Sequence, residues 1–225
     1  PEGLPDDPEQ ALVSMGIYLF DKQFLIDRLE QDHHDPQSFH DFGRDILPGL
    51  IEDPGLYAYR FGGSEGRVSQ DRYWRDVGTL DAYYEANMAL LEPVPPLNLY
   101  QPDWVIRTYQ AQHPPARTVP GASGNEGLFV NSICAGGVVI TGGAVDHSIL
   151  FPRVMVEDGA VVEHSILFEG VSVGAGARLH RCIIDKDVEV PAGAQVGMDA
   201  QSDQRRFDMS PDGVVVIPKG YRFDA

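Results

Sequence analysis

A repeat in the second half of the chain constrains the fold more than any other feature of the sequence. Similar four-residue motifs occur at residues 131–134, 147–150, 164–167 and 181–184, at intervals of 16, 17 and 17 residues. A second motif, a short aliphatic run followed by Gly-Ala, keeps the same spacing through Gly143, Gly159, Gly176 and Gly193. Self-similarity at such a period indicates a solenoid, in which each coil buries its apolar side against the next.

The composition excludes several classes of protein. With 17 basic and 34 acidic residues, the net charge is −17, which argues against binding to nucleic acid or to an anionic membrane surface. The sequence has no apolar run of about 18 residues, so it predicts no membrane-spanning helix. Two cysteines are too few for a disulfide framework, and they favour a reducing, cytoplasmic setting.

The repeated segment has the pattern of short, half-buried strands. Aliphatic residues alternate with small or polar ones, and Gly-Ala follows where the chain must turn tightly. The pattern resembles the hexapeptide repeat of left-handed parallel β-helices, in which three hexads form one triangular coil. A period of 17 is one residue short of three hexads, and a right-handed or irregular solenoid remains an alternative. Cys134 aligns with core aliphatic positions, and Cys182 aligns with a column of serines.

The first hundred residues have a different pattern. Residues 15–20 are short and mostly apolar, which predicts a buried strand. Asp21 and Thr79 are placed to cap helices that begin at the next residue, and Asp41 is placed to cap another. Strands that alternate with helices indicate part of an α/β sheet.

A proline-rich segment separates the two patterns. Prolines crowd residues 93–102 and 114–120, and such a density is incompatible with a continuous helix or a central strand. The sequence therefore predicts an α/β part at residues 1–100, a linker at 101–125 and a solenoid domain at 126–225.

Two histidines occupy equivalent repeat positions. His147 and His164 lie one coil apart, with His180 nearby in the sequence. Stacked histidines could bind zinc or act as a catalytic base, as in hexapeptide-repeat acyltransferases, which bind coenzyme A. The alternative is a polar ladder on the outside of the solenoid, and we favour it because the next copy carries Arg181.

The motifs together resemble one enzyme family. The segments that carry the resemblance are Ser14-Met15-Gly16-Ile17-Tyr18, His40-Asp41-Phe42-Gly43-Arg44-Asp45, Tyr73-Trp74-Arg75-Asp76-Val77-Gly78-Thr79, Trp104-Val105-Ile106-Arg107-Thr108 and Arg205-Arg206-Phe207, followed in order along the chain. They resemble the bacterial glucose-1-phosphate adenylyltransferases, which are also called ADP-glucose pyrophosphorylases. The resemblance extends over essentially the whole chain.

The resemblance implies both a fold and a reaction. The implied fold is the C-terminal part of a Rossmann-like nucleotidyltransferase domain, followed by a left-handed parallel β-helix. The implied reaction joins ATP and glucose 1-phosphate to give ADP-glucose and pyrophosphate, for glycogen synthesis. The family's Gly-rich nucleotide loop, upstream catalytic Asp and Glu-Lys motif are not found in this sequence, so we expect the chain alone to be inactive.

The resemblance also implies which residues bind ligands. The residues expected around the glucose moiety are Ser14, Tyr18, Asp41, Phe42 and Trp74. Asp76 is expected to supply a carboxylate to Mg²⁺, a hard ion that prefers oxygen ligands. On a homotetramer regulated by phosphorylated metabolites, Lys186 is expected near an inhibitor nucleotide, and Lys219 and Arg222 near an activator. The alternatives are a non-catalytic oligomerisation and regulatory module, or an acyltransferase.

Overall fold

The computed structural model describes residues 7–9, 11, 13–59, 61, 73–100, 102, 105 and 107–223. The chain divides into two compact units, Pro1–Trp74 and Arg75–Ala225. None of the helices within the described residues is long and apolar enough to cross a membrane.

The first unit is built from short helices. α1 spans Lys22–His33, a π-helix spans Phe42–Ile46, and a 3-10 helix spans Pro48–Leu50. The carboxylate of Asp21 accepts hydrogen bonds from the first turn of α1, as the sequence predicts. Asp41 caps the π-helix in the same way, and the turn ends at Pro48, which cannot continue it.

The predicted strand at residues 15–20 is wrong. This segment is extended but not hydrogen-bonded in a ladder, and within the described residues no sheet contains a strand of the first unit. A strand is stable only beside a partner that takes its backbone hydrogen bonds. Two large apolar side chains stay in solvent here, since Ile17 is 78% exposed and Leu19 100% exposed.

The second unit begins with α2, Leu80–Met88, and a 3-10 helix, Ala89–Leu91; a short helix α3, Ala200–Asp203, lies near its end. Its strands, in chain order, are β1 Arg117–Val119, β2 Leu128–Val130, β3 Ile133–Cys134, β4 Val139–Thr141, β5 Ala144–Asp146, β6 Ile149–Leu150, β7 Met155–Val156, β8 Val161–Glu163, β9 Ile166–Leu167, β10 Ser172–Val173, β11 Arg178–His180, β12 Cys182–Ile184, β13 Glu189–Val190, β14 Gln195–Val196, β15 Asp208–Met209 and β16 Val215–Ile217.

The strands stack into three sheets, which confirms the parallel β-solenoid. In two of these sheets, each strand pairs with the strand three positions later in the chain, which lies in the next coil. The first sheet has the order β1-β4-β7-β10-β13, and the second has the order β2-β5-β8-β11-β14. The third sheet runs β3-β6-β9-β12-β16 and ends with β15, which is antiparallel to β16. The register follows the sequence repeat, since Ile149 pairs with Ile166 and Ile166 with Ile183. The handedness of the coil stays a prediction.

The core of the solenoid is a set of aliphatic columns. One inward position of each sheet is filled coil after coil, for example by Val145, Val162, Leu179 and Val196, which are all buried. A tight turn follows the first sheet, where Gly159, Gly176 and Gly193 have positive φ values of 68–70°. Only glycine adopts this conformation without cost, which explains the repeated Gly-Ala signal.

A ladder of hydroxyl groups runs along the third sheet, and its members Ser148 and Ser165 are fully buried. The Ser132 hydroxyl accepts a hydrogen bond from the backbone N–H of Ser148, and the Ser148 hydroxyl accepts one from that of Ser165. The Ser165 hydroxyl in turn accepts from the backbone N–H of Cys182, whose thiol ends the column. Small polar residues suit this column because each side chain accepts a hydrogen bond from the backbone of the next coil and occupies little space inside the solenoid.

α2 packs on the solenoid. Tyr84 is buried in one cluster with Ile166 and Ile183 of the third sheet and with Val214, which directly precedes β16. Residues 80–88 therefore belong to the same compact unit as the solenoid. The sequence-based boundaries at residues 100 and 125 stay a prediction about domains, whereas the compact units divide after Trp74.

Candidate functional site

A tight turn brings two of the expected sugar-binding residues together. Gly16 has a φ of +72°, and its backbone N–H donates to the Ser14 hydroxyl at 3.2 Å. The turn places the Ser14 hydroxyl 2.9 Å from that of Tyr18. The glycine of the Ser-Met-Gly-Ile-Tyr motif therefore allows the turn that brings the two hydroxyls together. The hydroxyl pair can both donate hydrogen bonds to a ligand and accept them from it.

Phe42 and Asp41 lie next to this pair. The ring of Phe42 stacks on that of Tyr18, with ring centroids 6.1 Å apart. Asp41 directs its Oδ1 to the backbone N–H of Arg44 at 2.8 Å and so caps the π-helix. The structure therefore brings Ser14, Tyr18 and Phe42 into contact, with the Asp41 carboxylate at the adjoining helix start.

Trp74 is the last residue of the first unit, and Asp76 is the second residue of the second unit. The Trp74 side chain is 40% exposed. Asp76 is exposed, and its Oδ1 accepts a hydrogen bond from the backbone N–H of Gly78 at 3.0 Å. Thr79 follows and caps α2 through a hydrogen bond from the Ala82 N–H. Asp76 is therefore held in a turn at the start of α2.

The histidine column has a conformational explanation. Asn131, His147, His164 and Arg181 all have positive φ values, between 42° and 49°. Among residues with a Cβ, Asn, Asp and His are enriched in this left-handed region. The His147 and His164 rings stack at 5.1 Å. Among the described residues, no group of three or more His, Cys, Asp or Glu side chains could hold a metal ion.

The two lysines expected to bind effectors, Lys186 and Lys219, lie in one cluster of charges. The Lys186 ammonium lies 3.2 Å from Asp185 and 4.9 Å from the centre of the Phe168 ring. The Lys219 ammonium lies 3.2 Å from Asp187. Partial burial opposes ionisation of Asp185, but hydrogen bonds from Lys186 and from the Lys219 backbone outweigh it and lower the Asp185 pKa.

Arg222 lies in the C-terminal segment and is exposed. Its neighbours Tyr221 and Phe223 pack around Phe207. Arg206 lies over the Phe207 ring at 4.7 Å, and Arg205 lines a shallow depression nearby. Of these arginines, Arg206 lies over the aromatic cluster of Phe207, Tyr221 and Phe223.

Two polar anchors of α2 were not found from the sequence. The Tyr84 hydroxyl donates to the backbone carbonyl of His164 at 2.6 Å. The Asp81 carboxylate accepts hydrogen bonds from the Ser210 hydroxyl and from the backbone N–H of Asp212. Neither partner lies in the same motif, so no local signal in the sequence points to these contacts.

Comparison with known families agrees with both halves of the fold. Residues 4–93 match the family described as "Nucleotidyl transferase", and residues 114–217 match the family described as "GlmU-like, C-terminal hexapeptide". The first match supports the nucleotidyltransferase assignment, and the second covers most of the solenoid.

Individual relatives carry one name. "Glucose-1-phosphate adenylyltransferase 2" of Vibrio vulnificus strain CMCP6 is 58% identical over 223 residues, which are 99% of this chain and 55% of the relative. "Glucose-1-phosphate adenylyltransferase" of Thermus thermophilus is 48% identical over 227 residues, 99% of this chain and 55% of the relative. That of Enterobacter sp. strain 638 is 41% identical over 221 residues, 97% of this chain and 51% of the relative. The chain spans about half the length of these relatives.

Proposed function

Because the chain belongs to the glucose-1-phosphate adenylyltransferase family, we propose that it supplies the sugar-binding and one metal-binding part of an enzyme that makes ADP-glucose from ATP and glucose 1-phosphate. The observation that carries this proposal is the contact of Ser14, Tyr18 and Phe42 beside Asp41. In the cell this activity serves glycogen synthesis. The free thiols of Cys134 and Cys182 support the expected cytoplasmic location.

The first unit offers the chemistry that a sugar requires. Hydroxyls of Ser14 and Tyr18 can exchange hydrogen bonds with sugar hydroxyls, and the Asp41 carboxylate can accept from one. The aromatic rings of Phe42 and Trp74 can cover the apolar face of the pyranose ring. These residues would hold the glucose moiety so that its phosphate oxygen attacks the α-phosphorus of ATP, with pyrophosphate as the leaving group.

Asp76 fits one ligand position of a divalent cation. Nucleotidyltransferases generally use such a metal, and we propose Mg²⁺. The carboxylate is exposed, and the only hydrogen bond described for it engages Oδ1, so Oδ2 can face a hard cation. The cation would offset the negative charge on the phosphates. Asp76 by itself is an incomplete site, and its partners would be phosphate oxygens and a second carboxylate outside this chain.

Phosphorylated effectors fit the charge cluster on the solenoid. Lys186 and Lys219 present ammonium groups that are now paired with Asp185 and Asp187, and a phosphate group can replace these carboxylates. We propose that this cluster and the exposed Arg222 bind the regulatory metabolites of a homotetramer. Changing Lys186 and Lys219 to Gln tests the assignment, because both changes should weaken effector binding and leave the rate without effector unchanged.

The test of the proposed function is pyrophosphate release from ATP and glucose 1-phosphate. The chain is assayed alone and then joined to the part of the V. vulnificus relative that it does not cover, with Mg²⁺ present. We expect activity only in the joined protein. Tyr18→Phe and Asp41→Asn should raise the KM for glucose 1-phosphate, whereas Tyr109→Phe, which changes an exposed ring, serves as the control.

A non-catalytic role is the second candidate. The charge cluster and the solenoid suit a module that binds effectors and associates with other chains. If the joined protein is folded but releases no pyrophosphate, the catalytic proposal fails and this second reading is favoured. The acyltransferase alternative has no support, because the relatives are named adenylyltransferases and the histidine column has a conformational explanation.

A further inference from the structure

α2 is fixed to the solenoid at two separate points. Near its middle, the buried Tyr84 donates its hydroxyl proton to the His164 carbonyl at 2.6 Å. In its first turn, the Asp81 carboxylate accepts from the Ser210 hydroxyl and from the Asp212 N–H, the latter at 3.4 Å. Two anchors on different coils determine both the position and the direction of the helix.

The partner of Asp81 is itself a rigid part of the solenoid. Ser210 lies in the turn between β15 and β16, and its N–H donates to the Val214 carbonyl at 2.9 Å. Its hydroxyl accepts from the Val214 N–H at 2.9 Å while it donates to Asp81. Because β16 continues the third sheet beside β12, this turn is held by the last coil.

Asp76 lies five residues before Asp81, in a turn that adjoins the first turn of α2. The Thr79 carbonyl accepts from the Tyr83 N–H at 2.9 Å, and its side chain caps the same helical turn. One residue earlier, the Gly78 N–H donates to Asp76. The Asp76 turn directly precedes the first turn of α2 in the chain, and each is closed by its own hydrogen bonds. Fixing Asp81 therefore restricts where the turn that carries Asp76 can lie.

We infer that Asp81 is a positioning residue, through which the Ser210 turn of the solenoid sets the place of the metal-binding carboxylate Asp76. The inference rests on the proposed function, because it assigns Asp76 to the metal. It also states how a change in the solenoid reaches the chemistry. Asp81 acts through the placement of Asp76 and touches neither metal nor substrate.

The test uses the joined, full-length protein with Asp81→Asn. An amide presents one oxygen where the carboxylate presents two, so one of the contacts to Ser210 and Asp212 is lost. We expect the Mg²⁺ concentration for half-maximal rate, and the Kd for Mg²⁺ from titration calorimetry, to rise about tenfold or more, as for the loss of one hydrogen bond to a charged group. The KM for glucose 1-phosphate should change less than twofold. Ser210→Ala removes the Ser210 contact, leaves the Asp212 contact in place and should give a similar shift.

The matched control is Glu85→Gln, which removes one negative charge from the exposed side of the same helix. It should leave the Mg²⁺ dependence unchanged. The double variant Asp81→Asn with Ser210→Ala should shift the Mg²⁺ dependence no further than either single variant, because its amide oxygen can still accept from the Asp212 N–H, so that each of the three variants keeps one contact. Rescue by Asp81→Glu, which retains both oxygens, would further support the inference.

The possible results separate the inference from the proposed function. If the joined protein without substitutions is inactive, the proposed function fails, and the inference fails with it. If that protein is active and both variants keep its Mg²⁺ dependence, only the inference is overturned. A fall in kcat without a shift in Mg²⁺ dependence also overturns it, because loss of folded protein alone lowers kcat in this way.

Discussion

The hydroxyl of Tyr84 offers a measurement of how strongly α2 is held. Tyr84 is 4% exposed, and its ring packs against Ile166 and Ile183, while its hydroxyl donates to the His164 carbonyl. Tyr84→Phe keeps the ring and removes only the donor. A partly buried carbonyl that loses its donor costs about 1–2 kcal/mol, so α2 should open about 5- to 30-fold more often.

Amide hydrogen exchange in α2 is the direct assay, because it reports local opening of a helix. Urea unfolding followed by circular dichroism gives the corresponding loss in the free energy of unfolding of the second unit. Tyr109→Phe makes the same chemical change on a ring that is 89% exposed and is the control. If Tyr84→Phe changes exchange no more than Tyr109→Phe does, the His164 contact does not hold the helix, and the reasoning is refuted.

Three further predictions concern the solenoid. Burial raises the pKa of the Cys182 thiol to about 12, so the unfolded chain loses this proton first as the pH rises above 9. The free energy of unfolding should therefore fall between pH 9 and 12. Urea titrations at several pH values should show this fall, and a smaller one in Cys182→Ser. Gly197→Ala should destabilise the fold by about 3 kcal/mol or more in thermal or urea unfolding, because φ is +78° and the new Cβ would overlap the His180 carbonyl. Gly213 also has a positive φ but has open space around it, so Gly213→Ala should cost only about 1 kcal/mol by the same measurement. Leu179→Ala should cost about 2–5 kcal/mol by the same measurement, since its side chain is fully buried in the core, and a loss below 1 kcal/mol would contradict the described packing.

The solenoid could be predicted because its signal is repeated and local. Each coil meets nearly the same surroundings, so residues at equivalent positions, such as Leu150, Leu167 and Ile184, are selected for the same inward place. The helix caps Asp21 and Thr79 were predicted for a similar reason, since a cap bonds to N–H groups two or three residues away. The placement of Cys182 in the serine column was also confirmed.

The strand expected at residues 15–20 shows where local patterns are insufficient. Its apolar run satisfies the composition of a buried strand, but a strand also needs neighbouring backbone groups. The described residues of the first unit supply none, and the segment instead turns at Gly16 so that Ser14 meets Tyr18. The feature that the sequence presented as a strand is therefore the loop that forms the candidate sugar contact.

The anchoring of α2 was out of reach of the sequence for a different reason. Asp81 and Ser210 are 129 residues apart, and neither belongs to the repeat. Tyr84 fixes the helix at the coil of His164, so the pairing depends on how many coils separate that coil from the last hairpin. Insertion of one coil between His164 and the last hairpin would keep every repeat motif intact and still remove the Asp81 contact. The number of coils is thus one determinant of where Asp76 is held, although no single residue of the repeat indicates that number.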